Sequence, residues 1–271
     1  MRIATWNVNS MRARADRVEA WLERTDVDVV AIQETKCKDD NFPWEVFEHN
    51  GYDVAHFGFN QWNGVAIASR VGMKDVERTF ADQPAFGKGG KDPVQEARAI
   101  AATCDGVRIW SLYVPNGRTL TDEHMEYKLA WLKQLREHAE TWLTDDPEAQ
   151  IALAGDWNIA PQDEDVWDIG FFREQGLTHV SEPEREAFRS FLDSGYADLV
   201  RPHAPGPAST PIGITRACAS RSGKACGSTS CWGPPRSPGV WSRPSWTRTN
   251  AGARGPATTR PSSSTWPERS G

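Results

Sequence analysis

The chain has 271 residues, of which 38% are hydrophobic and 25% charged, and its formal net charge is −6. This length suits one large α/β domain, and no apolar run approaches the roughly 20 residues that a transmembrane helix needs, so we expect no membrane-spanning segment. The five cysteines are irregularly spaced, and Met1 leads into a strand pattern without a secretory leader, which together predict a reducing cytoplasmic location. The acidic balance disfavours a broad phosphate-binding surface, so any nucleic-acid contact must be local.

Short apolar runs that alternate with amphipathic stretches predict a mixed α/β fold. In chain order, strands are expected at about 1–9, 27–36, 52–57, 64–68, 97–103, 107–113, 149–153 and 196–200. Helices are expected at about 14–23, from 42 onward for a short stretch, and at 123–143 and 183–192. Strands joined as hairpins, such as the pair that turns at Asp105 and Gly106, favour a two-sheet α/β sandwich flanked by helices over a doubly wound parallel sheet.

Polar side chains follow three of the predicted strands at the point where each strand ends. Asn7 ends the first strand, Glu34 the second, and Asp156 with Asn158 follows the apolar run 149–153. An aspartate at the lip of a sheet can bind a divalent cation or take a proton from water, and an asparagine amide can donate to a phosphate oxygen. Taken alone, Gly155, Asp156 and Asn158 also fit an ordinary turn. Three strand ends of the same polar character indicate one shared pocket.

These motifs resemble those of the exodeoxyribonuclease III family of apurinic/apyrimidinic endonucleases, within the endonuclease/exonuclease/phosphatase superfamily. The resemblance covers residues 1 to about 206 and is carried by the stretches WNVNSMRAR (6–14), QETK (33–36), GVAI (64–67), LYVPNG (112–117) and GDWNIAP (155–161). It implies two packed sheets flanked by helices. It also implies a DNA repair nuclease, with 3′-to-5′ exodeoxyribonuclease and abasic-site endonuclease activities, acting as a monomer on double-stranded DNA with abasic sites or 3′ ends.

The resemblance also implies roles for individual residues. A Mg²⁺ ion, with Mn²⁺ as an alternative, is held chiefly by Glu34, with Asn7 and Asp156 completing the metal site. Asp156 orients or deprotonates the attacking water. The remaining matches, Tyr113, Asn116 and Asn158, contact the phosphate or the side chains around it, as Asn7 does.

The composition changes abruptly at residue 207. Residues 207–271 contain nine Lys and Arg and a single acid, a net charge of +8 that leaves −14 for residues 1–206. This tail is rich in Ser, Pro, Gly and Arg, and contains no Leu, Phe, Tyr or Asp. Such a segment buries too little apolar surface to offset its ordering entropy, which predicts a disordered basic tail and a catalytic domain that is incomplete at its C-terminus.

Reading the tail one frame away gives a second interpretation. Triplets that start on the third base of each preceding codon permit Val-Tyr-Thr-Tyr-Trp-Asp-Tyr across residues 208–215 and Met-Arg-Ile-Asp-Phe-Val-Leu across 225–232. The same offset permits Ser-Asp-His-Ala-Pro-Val-Val-Val-Asp-Leu across 256–266. These are the elements with which the family completes its site, so we hypothesise that one base was lost near codons 205–207. The chain then holds about half a site, which predicts weak metal binding and little hydrolysis.

Two other interpretations remain open. One is a phosphoesterase of the same superfamily acting on phosphoinositides or sphingomyelin, which the short spacing between motifs disfavours. The other is a noncatalytic remnant whose basic tail binds nucleic acid in a salt-sensitive manner. Among individual residues, His56 is expected to be an ordinary strand histidine, and Arg98 either a DNA backbone contact or a solvated charge.

Overall fold

The computed structural model describes residues 1–203 and 215–220. Ten strands lie within these residues: β1 (Ile3–Asn7), β2 (Val29–Gln33), β3 (Asp53–Phe57), β4 (Val65–Ser69), β5 (Lys74–Arg78), β6 (Ala99–Cys104), β7 (Val107–Tyr113), β8 (Ile151–Asp156), β9 (Tyr196–Asp198) and β10 (Thr215–Ser220). The α-helices there are α1 (Ala15–Arg24), α2 (Glu45–Glu48), α3 (Glu123–Asp145), α4 (Ile169–Glu174) and α5 (Glu182–Asp193).

The strands form two mixed sheets. The four-stranded sheet has the order β1-β2-β4-β3, and the six-stranded sheet has the order β5-β6-β7-β8-β10-β9. Each sheet contains one parallel pair, β1 with β2 and β7 with β8, and α3 is the crossover between β7 and β8. A parallel pair needs such a long connection because both strands run in the same direction. The carboxyl ends of four strands are therefore available at the site described below.

Three apolar layers hold the sheets and helices together. Side chains of alternate residues on β2 illustrate the arrangement, because Val29 packs between the two sheets while Val30 and Ile32 pack toward α1 and α2. On the other side of the molecule, α3 and α5 cover the six-stranded sheet, with Trp131 and Phe188 in the shared cluster. All five residues of β2 are buried, as expected for a strand covered on both faces. The result is the predicted two-sheet sandwich flanked by helices.

The element boundaries differ from the predictions in three places. The strand expected at 149–153 extends to Asp156, so this residue is the last residue of β8 and lies within the sheet. Strand β5 was not predicted, since its five residues are all exposed and four of them are charged. Strand β10 lies inside the tail for which disorder was predicted and pairs with both β8 and β9. The other residues of that tail lie outside the described ranges, so the disorder predicted for them stays a prediction.

No helix in residues 1–203 is both long and apolar enough to cross a membrane.

Candidate active site

The polar strand ends singled out in the sequence come together at one edge of the sandwich. Asn7 is the last residue of β1, and Glu34 directly follows β2, its parallel neighbour. Tyr113 and Asp156 are paired in register as the last residues of β7 and β8. Since the carboxyl ends of parallel strands lie at the same sheet edge, two parallel pairs packed together place these side chains in one pocket.

The Asn7 carboxamide links the two carboxylates. Its Nδ2 donates to Oε1 of Glu34 at 2.7 Å and to Oδ2 of Asp156 at 2.8 Å. Its Oδ1 accepts from the backbone N–H of Asn9 at 3.0 Å, which fixes the orientation of the amide. The sequence separation between Asn7 and Asp156 is 149 residues, so this contact arises entirely from the packing of one sheet on the other.

The loop after β8 is held by the second asparagine. The backbone N–H of Asn158 donates to Oδ1 of Asp156 at 3.0 Å, and the Asn158 backbone has a φ of 49°. Asn158 Nδ2 donates to the carbonyl of Val114 at 2.8 Å, while its Oδ1 accepts from Asn116 Nδ2 at 3.3 Å. The loops after β7 and β8 are therefore joined through their asparagine side chains.

Electrostatics distinguish the two carboxylates. Burial, reinforced by the negative charge of Glu34, raises the pKa of Asp156, against the opposing hydrogen bonds from Asn7 and the Asn158 N–H. Burial also acts to raise the pKa of Glu34, but hydrogen bonds from Asn7 and Lys36, together with the Lys36 charge, lower it below its ordinary value. The Lys36 ammonium lies 2.8 Å from Glu34 Oε2. Asp156 is thus the carboxylate with the greater tendency to hold a proton.

Tyr113 rests on a buried cation. The Arg98 guanidinium lies 4.8 Å from the centre of the Tyr113 ring, and its Nη1 donates to the Tyr113 carbonyl at 3.2 Å. Arg98 is 7% exposed and pairs with Glu96 at 2.6 Å. It is therefore a buried structural cation, and not the DNA backbone contact or the solvated charge expected from the sequence. Burial, and then the Glu34 charge, raises the pKa of the Tyr113 phenol, which keeps the hydroxyl protonated.

A second buried ion pair lies beneath the asparagine loops and was not foreseen. Lys128 of α3 donates to the carbonyl of Asn158 at 2.6 Å and pairs with Glu184 of α5. The Ser181–Glu184 spacing is the signature of a capping box, which α5 contains. That signal identifies Glu184 as a capping residue, but it does not reveal its partner on α3.

The donor set fits a magnesium-type cation. Residues 1–203 and 215–220 contain no cluster of three or more His, Cys, Asp and Glu side chains that could hold a metal. Mg²⁺ keeps several water ligands and is commonly bound through one or two carboxylates, whereas structural zinc needs four protein ligands. The two carboxylates of Glu34 and Asp156, which the Asn7 Nδ2 links, therefore suit the first kind of site and are too few for the second.

Comparisons with known proteins show which family the chain resembles. The sequence profile of the Endonuclease/Exonuclease/phosphatase family matches residues 4–262. An exodeoxyribonuclease from Bacillus subtilis is 28% identical over 203 residues, which is 74% of this chain and 75% of that protein. Exodeoxyribonuclease III from Haemophilus influenzae is 29% identical over 61% of this chain and 60% of its own length.

Solved structures give the same result. A 3′-5′ exonuclease from Neisseria meningitidis is 32% identical, with a TM-score of 0.71 over 81% of this chain and 87% of that one. A Neisseria 3′ phosphatase bound to a product DNA hairpin is 30% identical, with a TM-score of 0.72 over 81% and 86% of the two chains. An AP endonuclease from Archaeoglobus fulgidus is 30% identical, with a TM-score of 0.70 over 81% and 87%.

Proposed function

The chain belongs to the Endonuclease/Exonuclease/phosphatase family, and from this premise we propose that it is a Mg²⁺-dependent DNA repair nuclease of the exodeoxyribonuclease III type. Its substrates are double-stranded DNA with abasic sites and DNA 3′ ends. The observation that carries the proposal is the Asn7 amide, which holds the carboxylates of Glu34 and Asp156 side by side at the ends of two sheets. The names of the relatives supply the DNA chemistry.

Glu34 and Asp156 would hold the cation. Asn7, predicted from the sequence as a third ligand, turns its Nδ2 toward both carboxylates and its Oδ1 toward the Asn9 N–H, so it would orient the two ligands. A divalent cation there supplies Lewis acidity, which offsets the negative charge that develops on the phosphate. Asp156 is buried and accepts from Asn7 Nδ2 and the Asn158 N–H, which fixes its carboxylate where it could accept a proton from the attacking water. Asn158 and Asn116 are linked carboxamides that would face the phosphate oxygens. The protonated Tyr113 hydroxyl, which donates to Glu34 in this structure, would donate to the phosphate when substrate is bound.

We infer in addition that this polypeptide has little hydrolytic activity. The recognisable motifs end near residue 206, although the family profile continues to residue 262, and the frame-shifted His and Asp codons fall in 207–271. These codons lie outside the described residues. Catalytic groups that act as a unit fail together, so the loss of an Asp-His pair removes most of the rate acceleration even when the remaining residues are in place.

The test compares three proteins on one substrate. These are the 271-residue chain, a version with one base inserted within codons 205–209, and that version carrying Asp156→Asn. Incision of a duplex with a single abasic site is measured with Mg²⁺ and with excess EDTA. We expect strong Mg²⁺-dependent incision only from the version with the inserted base, and its loss on Asp156→Asn.

Each other outcome identifies the part that fails. Strong incision by the unaltered chain would overturn the inference of low activity and leave the nuclease assignment standing. If neither version cleaves the abasic duplex but either hydrolyses inositol phosphates, the substrate assignment is wrong. Salt-sensitive binding to intact duplex without any cleavage would favour the noncatalytic remnant.

A further inference from the structure

A line of hydrogen-bonded side chains runs from the Glu34 turn to the opposite sheet and takes no direct part in the site. Thr35 Oγ1 lies 2.8 Å from His56 Nε2, and His56 Nδ1 lies 2.8 Å from Asp39 Oδ1. Thr35 has no exposed surface and His56 is 1% exposed. His56 belongs to β3, so the strand position predicted from the sequence is right, but its ring is committed to two specific partners.

The charge state of His56 and the chemistry of its two partners define the direction of these hydrogen bonds. Burial lowers the pKa of His56 to about 4, although Asp39 opposes the shift. A neutral imidazole has one donor and one acceptor nitrogen. Because the Asp39 carboxylate can only accept, Nδ1–H donates to it and Nε2 accepts from the Thr35 hydroxyl. The Thr35 side chain is thereby held in one orientation.

Thr35 sits between two strained residues. Glu34 has a φ of 55° and Lys36 a φ of 52°, a left-handed conformation that is unfavourable for a residue with a side chain. Such strain persists only where the surroundings over-determine the backbone. The Glu34 carbonyl accepts from the Ser10 N–H at 2.7 Å, and the Thr35 N–H donates to the Gly64 carbonyl at 3.1 Å. The hydroxyl of Thr35 is the side-chain anchor of this turn.

The far end of the line is fixed by a cation from the other sheet. Asp39 Oδ2 accepts from Arg78 of β5 at 3.1 Å, and Asp39 Oδ1 also accepts from the Gly58 N–H at 3.2 Å. Arg78 donates in addition to the carbonyl of His56 at 3.1 Å. Since β5 lies in the six-stranded sheet and β3 in the four-stranded one, the line joins the two sheets that together form the site.

We propose that Thr35, His56 and Asp39 are positioning residues that hold the Glu34 carboxylate where it binds the divalent cation. This proposal rests on the proposed function, because it assumes that Glu34 is a metal ligand. Residues that orient metal ligands from behind typically contribute 10- to 100-fold to metal affinity or activity. An ordinary hydrogen-bonded core would instead affect the stability of the fold and leave the affinity of the folded protein unchanged.

The test measures Mn²⁺ affinity on the full chain, which does not require catalysis. Binding is followed by electron paramagnetic resonance of free Mn²⁺, and folding by circular dichroism. Thr35→Val removes the hydroxyl and keeps the shape, whereas Thr35→Ser keeps the hydroxyl. We expect Thr35→Val to weaken Mn²⁺ binding about 10- to 100-fold and Thr35→Ser to bind as the unaltered chain does.

A matched control and a second variant make the result decisive. In the described part of the chain, the Thr25 hydroxyl is buried without a hydrogen-bond partner, so Thr25→Val makes the same chemical change away from the line and should leave Mn²⁺ binding unchanged. Asp39→Ala removes the carboxylate that accepts from His56 Nδ1, at a side chain that is only partly buried. This variant tests the positioning role if Thr35→Val does not fold. We expect it to weaken Mn²⁺ binding as well.

Glu34→Gln separates the two proposals. If Glu34→Gln weakens Mn²⁺ binding while folded Thr35→Val and Asp39→Ala do not, the positioning role is overturned and the metal site remains. If Glu34→Gln itself leaves Mn²⁺ binding unchanged, the metal assignment in the proposed function is wrong, and the positioning role falls with it.

Discussion

Lys128 and Glu184 form an ion pair beneath the asparagine loops, and neither side chain has any exposed surface. The pair is not isolated, because the Lys128 ammonium also donates to the Asn158 carbonyl, and Glu184 accepts from Thr178, His179 and Ser181. Burial opposes ionisation of Glu184, but the Lys128 charge, followed by these hydrogen bonds, lowers its pKa below the ordinary value. Burial lowers the pKa of Lys128, against the opposing charge of Glu184, so each group is the buried partner that favours the charged form of the other.

Removing one partner of this pair should be costly. Lys128→Met leaves an unpaired buried carboxylate, so we expect the free energy of unfolding to fall by about 3–5 kcal/mol. Urea denaturation at pH 7 measures the change. The control is Arg136→Ala on the same helix, which breaks the exposed Arg136–Glu140 pair at 2.6 Å and should cost below about 0.5 kcal/mol. Equal effects of the two variants would contradict the assignment.

Arg98 should resist replacement by lysine. The guanidinium reaches Glu96 through Nε and the Tyr113 carbonyl through Nη1 while it covers the Tyr113 ring. A lysine keeps the charge but cannot satisfy this planar set of contacts, so Arg98→Lys is expected to cost about 1–3 kcal/mol. Urea unfolding gives the value. Arg2→Lys, at a pair whose side chains are 60% and 74% exposed, is the reference and should stay within about 0.5 kcal/mol.

The site was predictable where chemistry coincides with strand ends. Asn7, Glu34 and Asp156 each close an apolar run, and this pattern is visible in the sequence without any knowledge of pairing. Arg98, Lys128 and Glu184 could not be found in the same way. The sequence shows only isolated charges, and Lys128 and Glu184, 56 residues apart, meet only because α3 packs against α5. Whether a charge is solvated or buried depends on such packing.

The strands of the fold also divide into those that the sequence predicted and one that it did not. The buried strands were predicted because β-branched and apolar residues dominate them, as in β2. Strand β5 was missed because Lys74, Asp75, Glu77 and Arg78 give it no apolar face. It is an edge strand of the six-stranded sheet, and charged residues are what such an edge carries to prevent pairing with another chain.

Gly155 should not tolerate a side chain. A Cβ atom there would lie 1.9 Å from the carbonyl oxygen of Leu112 on the neighbouring parallel strand. Backbone of β7 cannot move away without breaking the Tyr113–Asp156 register, so Gly155→Ala is expected to cost at least about 3 kcal/mol or to prevent folding. Thermal unfolding tests this. Gly106→Ala, in a hairpin turn with open space around it and a φ of 81°, should cost only about 1–2 kcal/mol.

His56 should make stability depend on pH. Burial lowers its pKa from 6.5 to about 4, so between these values the unfolded chain takes up a proton that the folded chain does not. Stability therefore falls as pH decreases through this window, by about 3 kcal/mol at most, and this contribution is constant below pH 4. Urea unfolding of the unaltered chain and of His56→Gln at pH 7 and pH 5 measures it. The loss from pH 7 to pH 5 should be smaller in the variant, and identical losses would show that His56 is protonated in the folded state.

Asn7→Asp should make the fold depend on a divalent cation. The Asn7 Nδ2 now donates to both Glu34 and Asp156, and an aspartate would replace this donor with a third carboxylate at hydrogen-bonding distance from the other two. Like charges in contact disfavour ionisation and destabilise the folded state. A bound cation reverses the sign, because a ligand that binds only the folded chain stabilises it in proportion to the logarithm of its concentration over Kd. We therefore expect a lower Tm than that of the unaltered chain in EDTA and a larger rise in Tm on adding Mg²⁺ or Mn²⁺, measured by differential scanning calorimetry.

The control for this prediction is Asn60→Asp, in an exposed turn where the carboxylate can still accept from the Trp62 N–H. It adds the same charge away from the site and should leave the response to Mg²⁺ unchanged. A rise in Tm no larger for Asn7→Asp than for Asn60→Asp would mean that the cation does not bind between Glu34 and Asp156.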